Sequence, residues 1–288
     1  MKGNNTQTLS SEDPGLARAG DQAGAWPLYA RSLGQLLDLS VDLFVACLTP
    51  TVGLTFLMWL PVRFVWVILG SGGTQDATAQ WVFGLFANST VQALSAALVI
   101  QIVYAQLQGR PQSAGQALMA ALRRAPALLL CASIVALGTG IGTACCFVPG
   151  VFLMFLWSAA PSALVLEGLG PVEALRRSQQ LVRKQFPRWL GITVFALLLK
   201  LPYDAVVVLL DMPSTAQWAL QELGAPALAY KLAQVFVTSL LLAVSSAAWA
   251  IVATTFYLDC RVRLEGFDLA MRLERLQANA MGGRGRIH

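Results

Sequence analysis

Long apolar runs and short amphipathic segments alternate along this chain. Six of the runs are long enough for a helix to cross a hydrocarbon core of about 30 Å, which takes about 20 residues. They are residues 50–70, 81–106, 125–146, 150–167, 189–210 and 227–258. The pattern predicts an all-α polytopic membrane bundle with six transmembrane helices. The last run exceeds the thickness of the bilayer, so it must tilt or project beyond it.

Three polar segments in front of the first, third and fifth runs resemble one another. They are residues 32–37, 113–118 and 170–175. Each begins with a residue suited to a helix cap or first turn, and each has Gln or Glu three positions later. Each is followed by a proline near the start of the next run, namely Pro50, Pro126 or Pro187. We interpret them as three copies of one unit, a surface helix followed by a transmembrane hairpin. The turn of the middle hairpin is expected at Pro149-Gly150.

The predicted surface helices are amphipathic, but their polar faces differ. The first has acidic Asp38 and Asp42 opposite its leucines, whereas the third has a basic face. The residues of that basic face are Arg176, Arg177, Arg183 and Lys184. Such helices either lie in the membrane interface or pack their apolar faces on the ends of the spans. The basic face of the third helix favours contact with anionic headgroups.

Positive charge is distributed asymmetrically between the two sides of the predicted bundle. Of the 20 Lys and Arg residues, all but Arg63, Lys200 and Lys231 fall in segments assigned to one side. The longer loops of the other side, residues 71–80 and 211–225, contain neither Lys nor Arg. Because positive residues in short loops are retained inside, both termini are expected in the cytoplasm and the protein in the bacterial inner membrane.

This reading divides the chain into three parts. Residues 1–30 are predicted to be a disordered cytoplasmic tail, residues 31–268 the membrane domain, and residues 269–288 a C-terminal cytoplasmic tail.

Composition narrows the classes of function. The chain is 56% hydrophobic and only 12% charged, whereas soluble domains average about 25% charged residues. The net charge of +5 is interleaved between apolar runs, which favours anionic membrane lipids as partners over nucleic acid. The five cysteines are scattered and the one histidine is His288, so we expect no metal site, no cofactor and no histidine-based nucleophile system.

Two patterned segments resemble a known family. The first comprises Pro149-Gly-Val-Phe-Leu, Trp157, Pro161, and residues 165–171 and 174–178. The second comprises residues 257–268, and residues 32–38 resemble the start of the same family. Together they are similar to the membrane-domain family named after glycerophosphoryl diester phosphodiesterase. The departures are Gln179, where an aromatic residue is common, and Cys260, where an aliphatic one is usual.

The resemblance implies a membrane domain and no enzyme activity of its own. In the namesake arrangement this domain precedes a soluble metal-dependent phosphodiesterase domain, and the family also includes stand-alone membrane proteins of unassigned role. Here the sequence ends about 20 residues after the last motif, so we expect the catalytic domain to be absent.

Charges inside the apolar runs are the first group of candidate site residues. Lys200 and Asp204 lie four apart in the fifth run, where a charge is costly and often functional. They are interpreted as a structural pair, as a polar cavity or substrate contact, or as a proton-coupling site, and Pro202 is expected to end that helix early. Arg63 and Lys231 are expected to extend to outer headgroups, or to form a basic pocket with Lys200.

Two mixed-charge clusters at the cytoplasmic side form the second group. Their members are Glu167, Glu173, Arg176 and Arg177 after the fourth run, and Asp259, Arg261, Arg263, Glu265 and Asp268 after the sixth. We expect Asp259 and Glu265 to pair with Arg176 and Arg177, with solvated faces as the alternative. A GxxxG motif at Gly138 and Gly142 predicts close helix packing, either within the bundle or across a homodimer.

The sequence therefore favours a non-catalytic membrane protein that binds or organises lipids or partner proteins. The alternative is a transporter or lipid-translocating protein with a polar path near Lys200, Asp204 and Arg63. A protein partner or a homo-oligomer is left open.

Overall fold

The computed structural model describes residues 32–71, 77–109, 112–145, 147–212 and 226–266, together with Thr215 and Gln221. All regular secondary structure in these ranges is helical, and six spans are long and apolar enough to cross a membrane. The chain is therefore an all-α, multi-pass membrane protein, as predicted. The two predicted tails, residues 1–30 and 269–288, lie outside the described residues.

The helices of the described part are short where the amphipathic segments were predicted and long where the apolar runs were, except in the fourth run, which forms two short helices. They are α1 (Leu33–Ala46), α2 (Leu48–Ser71), α3 (Ala77–Leu107), α4 (Ala114–Arg123), α5 (Ala125–Cys145), α6 (Phe147–Trp157), α7 (Ala160–Glu167), α8 (Pro171–Lys184), α9 (Phe186–Asp211) and α10 (Ala227–Glu265). The helices α1, α4 and α8 each precede a pair of spans. We call the end of the bundle that carries them the short-helix end, and the opposite end the hairpin end.

The repeated caps form as the sequence predicts. At α1, the Ser32 hydroxyl accepts a hydrogen bond from Gln35 N at 3.3 Å, and Gln35 Oε1 accepts one from Ser32 N at 2.9 Å. The same two bonds begin α4. At α8 only the second half exists, because Gly170 has no side chain and Glu173 Oε2 accepts from its N–H at 3.2 Å. Each cap satisfies donors that the first turn of a helix leaves free.

The change from short helix to span takes one residue in every unit. A single non-helical residue separates the two helices: Cys47, Arg124 or Gln185. The predicted prolines then lie in the first turn of the span, where no N–H is needed for the helix. The three units therefore share both their start signals and their corners.

The fourth span is broken, which the apolar pattern did not predict. Helix α6 ends at Trp157 and α7 begins at Ala160, because Pro161 lacks the N–H that would bond to the Trp157 carbonyl. Two carbonyls near the break find side-chain donors from the third unit. Ser178 Oγ donates to the Leu156 carbonyl at 2.6 Å, and Trp189 Nε1 donates to the Phe155 carbonyl at 3.0 Å.

The turn of the middle hairpin is tighter than predicted. Helix α6 begins at Phe147, so Pro149 and Gly150 lie in its first turn rather than in the connection. The GxxxG glycines face this hairpin: Gly138 lies against the ring of Trp157, and Gly142 against the backbone of Gly150. Among the alternatives, the packing of this motif is within the bundle.

Helix α10 is the central element of the bundle. It contacts α1, α2, α3, α7, α8 and α9, and its small residues Ala243, Ala247 and Ala250 are buried. Its 39 residues correspond to about 58 Å at 1.5 Å per residue, nearly twice a hydrocarbon core of about 30 Å. The polar C-terminal part of α10 therefore reaches beyond the membrane at the short-helix end.

Candidate functional site

The C-terminal part of α10 carries a group of linked charges that connects it to α7 and α8. Glu167, at the end of α7, pairs with Arg177 Nε at 3.1 Å and with Arg261 Nε at 3.4 Å. It also accepts a hydrogen bond from the Tyr257 hydroxyl. The carboxylate thus has three donors from two other helices, and we call this group the inner lock.

Glu265 completes the inner lock. It forms an ion pair with Arg177 and a second one with Arg261 Nε at 3.2 Å. Burial lowers the pKa of Arg177, but hydrogen bonds and charge from Glu167, and then from Glu265, outweigh it and raise the pKa above its usual value. The expected pairing of Glu265 with Arg177 is present in the structure.

Asp259 has different partners from those expected. Its carboxylate lies 3.2 Å from Arg188 Nη2, at the start of α9, and 3.0 Å from Arg263 Nε. Its side chain is only 3% exposed, so it depends on these cations for compensation. The expected pairing with Arg176 is wrong, because Arg176 faces away from α10 and forms no ion pair with any described residue.

Helix α8 separates its basic residues into two sets. Arg177 is turned into the inner lock, whereas Arg176, Arg183 and Lys184 are exposed. The apolar face is covered by the spans, with Ala174, Leu175, Ser178, Leu181 and Val182 all buried. Of the alternatives for this helix, its apolar face therefore packs on protein from Ala174 to Val182, and the charged face points outward. We call Arg176, Arg183 and Lys184 the outer basic face.

Arg63, at the hairpin end, does not extend toward the membrane surface. It is only 4% exposed, and its Nη2 lies 2.5 Å and 2.7 Å from the two carboxylate oxygens of Asp211. Its Nε donates to Thr238 Oγ1 at 3.1 Å, and Gln234 Nε2 donates to Asp211 at 3.0 Å. The expectation of a headgroup contact is wrong for Arg63, because a carboxylate and a hydroxyl from α9 and α10 satisfy it inside the bundle.

Lys200 and Asp204 form an ion pair with each other in the middle of α9. Their side chains are 27% and 38% exposed, so the pair is not sealed in the core. Pro202 does not end the helix, which continues to Asp211. Lys200 and Asp204 therefore stay about seven residues or more from the hairpin end of α9, at membrane depth. Lys200 pairs with Asp204 and Arg63 pairs with Asp211, so these two cations do not form the expected basic pocket.

A cavity of about 190 Å³ adjoins Lys200, between α1, α9 and α10. We call it the seam pocket. Most of its lining is apolar, with aromatic side chains from each of the three helices. These aromatic residues are Phe44, Phe195, Tyr203 and Trp249. Lys200 is the one charged residue in the lining, and the exposed side chains of Val41 and Leu199 place the mouth of the cavity on the lipid side.

The remaining predicted site residues belong neither to the inner lock nor to the seam pocket as the structure describes them. Lys231 is half-buried near the start of α10 and forms no ion pair with the described residues, so its headgroup contact stays a prediction. Asp268 lies outside the described residues. Glu173 acts in the cap of α8 rather than in the inner lock.

Sequence reasoning missed several partners that the fold brings to these sites. Tyr257 and Arg188 lie next to predicted residues in space, and Asp211 is the first residue of a segment that was predicted to be a loop. Arg124 also reaches the end of α7, where its Nη1 donates to the Leu164 carbonyl at 2.8 Å. The abundance of arginines at the short-helix end indicates that ion pairs form there, but the spacing of the arginines does not indicate which group each one contacts.

Comparisons with known proteins identify the family but not an activity. No curated protein and no solved structure matches the chain significantly. A family model described as a domain of unknown function, DUF7847, matches residues 30–260. This match covers α1 to most of α10 and therefore includes the seam pocket and the outer basic face. Of the inner lock it includes Glu167, Arg177 and Tyr257, whereas Arg261 and Glu265 follow the matched residues. The chain belongs to the DUF7847 family.

Proposed function

We propose that this protein is a non-catalytic membrane protein that binds and organises anionic lipids at the cytoplasmic face of the bacterial inner membrane. The observation that carries the proposal is the outer basic face. Arg176, Arg183 and Lys184 point outward from a helix whose apolar face and whose Arg177 are both fixed to the bundle. A rigid row of cations at a membrane surface suits anionic headgroups.

The charge distribution along the chain supports this orientation. In the described part of the chain, all Lys and Arg residues except Arg63, Lys200 and Lys231 lie at the short-helix end. Because positive residues in short loops are retained inside, this distribution supports a cytoplasmic location for that end. The cytoplasmic leaflet is the anionic one, and each cation near it contributes about 1 kcal/mol to binding. Three exposed cations on one helix would therefore bind anionic lipid in clear preference to zwitterionic lipid.

The non-catalytic part of the proposal rests on how the carboxylates are used. Glu167, Glu265 and Asp259 are each held by arginines, and none of them lines the seam pocket. A general acid or base needs reach to a bound substrate. These carboxylates instead connect helices.

Lipid retention by the purified protein tests the proposal. In nanodiscs of mixed phosphatidylglycerol and phosphatidylethanolamine, native mass spectrometry should show phosphatidylglycerol retained on the wild type. The variant Arg176→Gln/Arg183→Gln/Lys184→Gln should lose most of that preference, because it removes the three exposed charges. The variant Arg176→Lys/Arg183→Lys keeps the charges and should retain it. Equal retention by the wild type and the Gln variant would refute the proposal.

Lipid translocation is the second candidate, and the depth of the Lys200–Asp204 pair favours it. A polar group at mid-membrane gives a headgroup a resting point on the way across. Dithionite quenching of fluorescent lipid in proteoliposomes measures this directly. We expect a rate equal to that of protein-free vesicles, and a faster rate that is lost in Lys200→Met/Asp204→Leu would replace binding by translocation.

A further inference from the structure

The antiparallel seam between α9 and α10 is closed at both ends and open in the middle. At the short-helix end, the rings of Trp189 and Phe256 lie 4.3 Å apart between centroids, and Arg188 pairs with Asp259. At the hairpin end, Gln234 Nε2 donates to the Leu210 carbonyl at 2.9 Å. The seam pocket is the gap between these closures, with α1 as its third wall.

Lys200 faces this gap rather than the lipid on the far side of α9. It lies seven residues, or two helical turns, from Thr193 on one side and Val207 on the other, and both of these are buried. Residues at this spacing share a helix face. Lys200 therefore lies on the packed face of α9, and its partial exposure reflects the pocket beside it.

The ammonium group of Lys200 has donors left for a ligand. An ammonium carries three donors, and within the described part of the chain Asp204 is the one partner that this group has. The Lys200–Asp204 pair has no net charge, and Asp204 does not line the pocket. A ligand oxygen beside Lys200 can therefore accept a hydrogen bond from the ammonium group, while the Lys200–Asp204 pair as a whole carries no net positive charge.

We propose that the seam pocket binds the hydrocarbon chain of a neutral lipid whose hydroxyl or carbonyl oxygen accepts a hydrogen bond from Lys200. The apolar and aromatic lining suits a hydrocarbon chain. The cavity volume of about 190 Å³ is smaller than the range of about 300–1,000 Å³ that is typical for pockets enclosing a drug-sized ligand. The pocket therefore accommodates one chain of the lipid, while the rest of the molecule stays in the bilayer. An anionic group would meet Asp204 and carry a charge to membrane depth, which disfavours it.

This site is separate from the outer basic face and from the anionic lipids proposed there. The two differ in position, since one lies at mid-membrane on α9 and the other on α8. They also differ in ligand charge. The variant Arg176→Gln/Arg183→Gln/Lys184→Gln should leave occupancy of the seam pocket unchanged, so the two proposals can fail independently.

Photolabelling in nanodiscs tests the site with three probes that share one chain. The probes are a diacylglycerol with a diazirine in one acyl chain, a phosphatidic acid with the same chains, and the matching diazirine alkane. Peptide mass spectrometry should locate diacylglycerol labels on the pocket lining, including Phe44, Leu199 and Trp249. Phosphatidic acid should label the same peptides about three- to tenfold less, since its phosphate would carry a charge to membrane depth and meet Asp204.

Two variants and a control separate the pocket from general lipid contact. Ala248→Phe fills the cavity and should reduce labelling about tenfold or more, because an occupied cavity leaves no room for the chain. Leu198→Phe adds the same ring on the opposite, exposed side of α9 and should leave labelling unchanged. Lys200→Met/Asp204→Leu should lower diacylglycerol labelling to the alkane level while alkane labelling persists.

The last variant keeps the test decisive if Ala248→Phe does not fold. Removing both charges of an intramembrane pair leaves neither one stranded, so this variant should retain its thermal transition. Three results would overturn the proposal: no label on the pocket lining with any probe, equal labelling by phosphatidic acid and diacylglycerol, or a diacylglycerol preference that survives Lys200→Met/Asp204→Leu.

Discussion

Arg176 and Arg177 are neighbours in the sequence but have opposite surroundings. One residue of an α-helix turns the side chain by about 100°, which directs Arg177 toward Glu167 and Glu265 and leaves Arg176 exposed. The two arginines therefore provide a matched pair, with the same chemistry, the same helix and different partners.

Arg177→Gln should destabilise the protein, and Arg176→Gln should not. Loss of Arg177 leaves two carboxylates short of a cation and costs about 1.5–3 kcal/mol, the range for hydrogen bonds to charged groups. Loss of Arg176 should remain within about 0.5 kcal/mol, as for exposed substitutions. Denaturant or thermal unfolding in detergent measures both. Equal stability of the two variants would show that the inner lock contributes nothing to the fold.

The sequence predicts that charged residues at the short-helix end form ion pairs, but it selects only some of the partners. Glu265 and Arg177 were expected together and are together, whereas Asp259 uses Arg188 and Arg263. Arg63 shows the reason most clearly. Its partner Asp211 lies 148 residues away along the chain, and no local pattern indicates that the ends of α2 and α9 meet.

At the scale of elements, the hairpin of α5 and α6 needs glycine at positions where the two helices approach closely, rather than at a bend of the chain. A Cβ at Gly150 would lie 2.4 Å from the backbone nitrogen of Thr143, which is closer than atoms pack. A Cβ at Gly140, on the same hairpin, would meet nothing within 4 Å. The two positions separate the need for close approach from the general cost of glycine in a helix.

Gly150→Ala should therefore destabilise the hairpin, whereas Gly140→Ala should be neutral or slightly stabilising. Overpacking costs about 1–3 kcal/mol when the obstacle is backbone. At Gly140 the same change removes a helix penalty of up to about 1 kcal/mol. Unfolding in detergent would decide between them, and a Gly150→Ala variant as stable as Gly140→Ala would contradict the close packing of α5 on α6.

The prolines show how far element boundaries follow from the sequence. The prolines that start α2, α5 and α9 were predicted correctly, because a first turn tolerates a missing N–H. Pro161 breaks a span and Pro202 does not, although both lie inside apolar runs. At the break near Pro161, Ser178 and Trp189 donate hydrogen bonds to nearby carbonyls, and only the tertiary structure reveals such partners.

At the scale of the whole molecule, three similar units are joined by one long central helix. The spans could be predicted because a bilayer sets their length and apolarity. The seam pocket could not, because it arises where the packing of α1, α9 and α10 leaves a gap. The outer basic face lies between these cases: its residues were predicted, and their outward direction depends on how α8 packs.

The central claim is that the short-helix end, with the outer basic face, lies in the cytoplasm. Cys145 is exposed at the hairpin end of α5, whereas Cys260 is buried and is unsuitable as a marker for the other side. Position 180 is exposed on α8 and is a suitable replacement. The two markers should therefore report opposite sides of the membrane.

The decisive measurement is labelling of intact spheroplasts with a membrane-impermeant maleimide. One variant is Cys146→Ser, which retains Cys145, and the other is Cys145→Ser/Cys146→Ser/Gln180→Cys. The account predicts that Cys145 reacts in intact spheroplasts and that the cysteine introduced at position 180 reacts only after the membrane is permeabilised. Reaction at position 180 in intact spheroplasts, with Cys145 protected until permeabilisation, would contradict the orientation and, with it, the proposed contact of α8 with the cytoplasmic leaflet.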